Sequence, residues 1–171
     1  MKKQLVLILL SFFFFGKAGA QNISSAERDS LYSVVNNLSA KIDELEKELK
    51  YRSLYVDCME LASRIEISNH DLQHCTTKIV LLANDQKTLR RSSLNDAKAL
   101  CDFQKISTEQ NKIRIKQLQD LLDILSSLYH FGDLEKEVIE RYLGKARLGC
   151  KESKLLQDQL KGILDAIEDY I

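Results

Sequence analysis

Proline and tryptophan are absent from all 171 residues, and no glycine occurs between Gln21 and Phe131. Glycine and proline together make up about 12 % of an average chain, so that stretch would ordinarily hold roughly a dozen of them. These residues punctuate a chain and build its tight turns. Sheets need such turns repeatedly and long helices do not, so their absence excludes an ordinary β fold over most of the length. An excess of charge is also missing: 25 basic residues balance 25 acidic ones. That balance gives no electrostatic reason to bind nucleic acid. After residue 20 the longest apolar run is Ile79–Ala83, far short of the roughly 18 residues a membrane span needs. Large aromatics are scarce as well. Four of the six phenylalanines are Phe12–Phe15, which leaves only Phe103 and Phe131 further along. So thin packing along aliphatic seams is expected rather than a thick core.

What is present begins with an export pattern. Lys2 and Lys3 precede the apolar stretch Leu5–Phe15, and Ala18-Gly19-Ala20 follows as a small-x-small site. Residues 1–20 therefore read as a signal peptide. The lysines hold the start on the inner membrane face while the apolar stretch enters. Retention as an anchor is the alternative, because Lys17 follows the apolar core. The first 20 residues hold three basic side chains and no acid, so the remaining 151 carry 22 basic and 25 acidic ones, a net charge of −3. A periplasmic or cell-envelope protein, or a secreted one, is the compartment this implies.

Leu31, Val35, Leu38, Ile42, Leu45 and Leu49 then step by 4, 3, 4, 3, 4, the spacing of a coiled-coil seam. Asp43/Lys47 and Glu46/Lys50 add i,i+4 pairs on its flanks. Leu54, Cys58, Leu61 and Ile65 form a second series out of phase with the first. Ser68-Asn69-His70-Asp71 resembles a helix cap, so a break is expected there. Leu72, Cys75, Ile79, Leu82, Gln86 and Leu89 continue beyond it, and Ile115, Leu118, Leu122, Leu125 and Tyr129 make a further series. Softer breaks are expected at Ser92-Ser93 or Ser107-Thr108. Gly132-Asp133 reads as a turn, with Gly ending one helix and Asp capping the next. Leu148-Gly149-Cys150 reads as a second interruption. The expected fold is all-α: a long antiparallel helical hairpin of coiled-coil type over 21–131, then shorter C-terminal helices over 132–171 after the 1–20 leader.

Four cysteines, Cys58, Cys75, Cys101 and Cys150, allow three pairings. Folding the hairpin near residue 66 sets Cys58 against Cys75, so a structural disulfide between them is expected about 13 Å from the tip. It would contribute roughly 3 kcal/mol in the chain-entropy model. Buried free thiols, or pairing with another chain, are the alternatives. Cys101 and Cys150 would need a kink near Ser107 to meet.

His70 and His74 share a helical face at i,i+4 and could hold a metal, with Asp71 where a zincin places its base. No third ligand is evident, and solvated polar residues near a helix start explain the pattern equally. The chain has no G-x-S-x-G, no Gly-rich phosphate loop and no C-x-x-C. Arg90-Arg91 and Lys112/Arg114/Lys116 are basic but lie among acids. The leading expectation is an exported helical protein that acts through protein–protein contacts, as a scaffold, adaptor or chaperone-like clamp. Self-association is expected with it, and neither a catalytic residue nor a cofactor. A metal-dependent hydrolase using His70 and His74 is the alternative. Membrane-surface binding through residues 152–171 is a third reading.

Overall fold

The computed structural model describes residues 25–84 and 90–168. Three helices fill this range: α1 (Ser25–Asn84), α2 (Arg91–Tyr129) and α3 (Asp133–Glu168). No strand occurs among the described residues, so the chain is all-α. The leader, residues 1–20, lies outside the described residues. Among those described, no helix is long and apolar enough to cross a membrane. The chain divides into two compact units, Met1–Leu49 and Lys50–Ile171.

In the first unit, α1 carries the 31–49 series as an exposed stripe. Leu38 is 55 % exposed, Leu45 63 % and Leu49 65 %.

The second unit is built from all three helices. Asp57 on α1 pairs with Arg114 on α2 at 3.5 Å, and Ser68 bonds to Gln104. Index sums of 171 and 172 mark these stretches of α1 and α2 as antiparallel. On α2 and α3, Gln119 meets Arg147 at 2.8 Å and Thr108 meets Ser153 at 2.9 Å, again antiparallel. Tyr55/Tyr142 and Asn69/Glu152 differ by 87 and 83, which sets α1 and α3 parallel.

Two sequence expectations therefore fail. Residues 68–71 do not break α1, which runs through them without interruption. Nor do short helices follow residue 132: α3 is one 36-residue helix through Gly144, Gly149 and Gly162. Neither softer break forms: Ser92-Ser93 lie in the first turn of α2, and Ser107-Thr108 lie in its interior.

The turn between α2 and α3 falls where expected but is built differently. His130, not Gly132, takes the left-handed conformation that ends α2, with φ 53° and ψ 55°. Gly132 precedes the first residue of α3. Its N–H donates to Glu135 Oε2 at 2.6 Å, and its carbonyl accepts from Lys136 N at 3.1 Å. This is the carboxylate half of a capping box, and Glu135 rather than Asp133 supplies it.

The core forms two apolar clusters. One joins Leu54, Cys58, Leu61 and Ile65 of α1 to Ile115, Leu118 and Leu122 of α2 and Ile139, Leu143 and Ala146 of α3. Phe131 is buried in this cluster and packs edge-on against Tyr51 at 5.8 Å. Tyr55 packs edge-on against Tyr142 at 5.4 Å. The other cluster holds Leu72 and Ile79, Leu94 and Ala97, and Leu156, Leu160 and Leu164. Burying such side chains stabilises by about 1.5–3 kcal/mol each before chain entropy is counted.

Candidate functional site

Buried polar side chains lie at the level where the two clusters meet. Asn69, Gln104, Thr108, Ser153 and Gln157 are all buried. Thr108 Oγ1 back-bonds to the Gln104 carbonyl at 2.7 Å and meets Ser153 Oγ at 2.9 Å. Gln157 Nε2 donates to Thr108 Oγ1 at 2.9 Å and to Ser153 Oγ at 3.0 Å. Asn69 Nδ2 donates to the Gly149 carbonyl at 2.9 Å. Thr108, Ser153 and Gln157 bond to one another, which fixes the register of α2 against α3, whereas Asn69 Oδ1 is buried without a partner among the described residues.

His70 and His74 are both exposed on α1. His70 lines an open groove of about 450 Å3 between α1 and α3, with Asn69, Gln73, Tyr142 and Glu152 among its walls. His74 does not line it. Among the described residues, no group of three or more His, Cys, Asp or Glu is placed to hold a metal.

The cysteines depart from expectation. Cys58 and Cys75 sit on the same unbroken helix, about 25 Å apart along its axis. A disulfide requires Cα atoms within about 7 Å. All four cysteines are free, so the expected Cys58–Cys75 staple is not formed. Its premise was the helix break that α1 lacks. Cys101 is likewise free, and its thiol faces the Gln157 carbonyl at 3.7 Å. Burial, with the neighbouring Asp57 carboxylate, pushes the Cys58 thiol up to about 11, against an opposing pull from Arg114. Burial also raises Cys75, Cys101 and Cys150. Such thiols stay protonated at neutral pH and are poor nucleophiles.

A second groove, of about 510 Å3, lies between α2 and α3. Lys112 and Lys116 face Arg147, Lys151 and Lys154 around it, with Asp120 its one acid and Ile115 and Cys150 among its lining. Lys112 is tied to Glu109 at 2.6 Å. This concentration of cations attracts anionic groups. Sequence reading found only the α2 half. It grouped Arg114 there, yet Arg114 turns to Asp57 on α1. The 147/151/154 spacing on one helical face was the available signal for the α3 half.

The remaining candidate is the exposed 31–49 stripe itself. Tyr32 and Val34 widen it, at 63 % and 51 % exposed. A row of large apolar side chains on a soluble surface is a mark of an interaction site. No protein-family model matches the chain, and neither a curated protein nor a solved structure shows a significant match.

Proposed function

We propose that this is an exported coiled-coil protein that works through protein–protein contacts, as a scaffold, adaptor or chaperone-like clamp of the cell envelope. One observation carries the reading: the heptad seam Leu31, Leu38, Ile42, Leu45 and Leu49 is exposed along α1. Aliphatic residues repeating at 4 and 3 are what a helix needs to zip against another helix. In the second unit the buried side chains of Thr108, Ser153 and Gln157 bond to each other. The leader pattern over residues 1–20 supports export.

The test is capture from envelope extract after in-cell crosslinking, with wild type and Ile42→Lys side by side. Partners captured by wild type should be lost from the variant. Capture of the same partners at the same yield by the variant would overturn the reading.

A further inference from the structure

We infer that the 31–49 seam pairs with the same seam of a second copy, as a parallel two-stranded coiled coil. The inference rests on the reading of this stripe as a contact surface and names its occupant.

The residue types choose the strand number. Spacing assigns Leu31, Leu38 and Leu45 to d, and Val35, Ile42 and Leu49 to a. β-branched residues at a with leucine at d favour two parallel strands, because each side chain then fits the hole its layer offers. Two of the three a positions are β-branched and every d position is leucine.

Charge chooses both the partner and its direction. Lys41 occupies g and Glu46 the following e. In a parallel pair, g of one helix meets e of the next heptad on the other, so Lys41 meets Glu46 of the second copy. Two-fold symmetry makes that contact twice. In an antiparallel pair g faces g, so with the two seams fully overlapped Lys41 meets another Lys41, and only a one-heptad slip that shortens the overlap brings it to Glu48. The flanks near the start of the seam are apolar instead, with Tyr32 at e and Val34 at g, both exposed. They broaden the buried strip where no charge pair exists. The seam spans fewer than three heptads, short for a coiled coil, so the pairing is weak and concentration-dependent.

The experiment uses protein purified from cells expressing the full chain. Sedimentation equilibrium should show a monomer–dimer equilibrium that Ile42→Lys weakens at least ~100-fold, with helix content and melting of the body unchanged. Lys41→Glu or Glu46→Lys alone should weaken it by about fivefold, and mixing the two variants should restore pairing as a heterodimer. For direction, Leu45→Cys is oxidised and its peptides are mapped without reduction. A link between the two introduced thiols supports the parallel pair. A dimer that forms no such link overturns it, as does a dimer indifferent to Ile42→Lys. A chain monomeric throughout the micromolar range, whose captured partners are still lost with Ile42→Lys, overturns self-pairing and leaves the broader contact function standing.

Discussion

A β-carbon on Gly149 would stand 2.7 Å from Ile65 Cγ2. The missing side chain lets α3 lie close against α1, and Asn69 then reaches the Gly149 carbonyl. Gly149 is a packing residue in the middle of a helix rather than the end of one.

Gly149→Ala should therefore destabilise by about 1–3 kcal/mol through overpacking, although alanine is the better helix former. Gly144→Ala and Gly162→Ala meet nothing within 4 Å. They should stabilise by about 0.5–1 kcal/mol each, because glycine costs more backbone entropy. Urea titration of the three variants checks the contrast in sign. Combining Gly149→Ala with Ile65→Ala should cost less than the two singles together, since the added methyl partly fills the new cavity.

The polar contact of Thr108, Ser153 and Gln157 gives a second test. Ser153→Ala leaves Thr108 and Gln157 each short of a buried partner and should cost about 1–3 kcal/mol. Replacing the set as Thr108→Val, Ser153→Ala and Gln157→Leu removes every orphaned group. That variant should recover most of the loss in a chemical denaturation series. A triple variant weaker than the single one would show that the network contributes more than mutual satisfaction.

The thiols predict an alkaline limb of instability. Cys58 ionises near its ordinary 9.0 when unfolded but only at about 11 when folded. Its folded-state value is raised, so its contribution is intact below pH 9 and is lost as pH climbs from 9.0 to about 11. About 3 kcal/mol is at stake for this thiol. Tyr51, raised by burial and by Glu135, and Tyr55, raised by its hydroxyl contact with Tyr142, act in the same direction. Melting across this range should show the decline, and Cys58→Ala should flatten part of it.

Thiol accessibility should divide the cysteines two and two. Cys75 and Cys101 are partly exposed and should react first with an aromatic disulfide reagent, whereas buried Cys58 and Cys150 should wait for unfolding. Peptide mapping without reduction should find four thiols and no Cys58–Cys75 link.

Helix class was legible because it follows from what is missing: without proline, and with glycine confined largely to the ends, little else can form. The turn at residues 130–132 was legible from what is present, the Gly132-Asp133 pair. The fold-back point was not. Ser68 and Asn69 look like a cap when read alone, yet Ser68 bonds to Gln104 and Asn69 to Gly149, both far away in sequence. A local pattern cannot separate a polar residue that caps a helix from one buried against another helix, because both need a hydrogen-bond partner. The disulfide error followed from that one. Gly149 misled in the same way, since a glycine needed for close approach resembles one that ends a helix. The basic groove was half visible because its two rows of cations meet only after folding.

The most direct test is sedimentation equilibrium of wild type and Ile42→Lys across the micromolar range. A concentration-dependent dimer in the first and a folded monomer in the second is the expected result. Identical association in both would show that the apolar stripe is not where this protein makes its contacts.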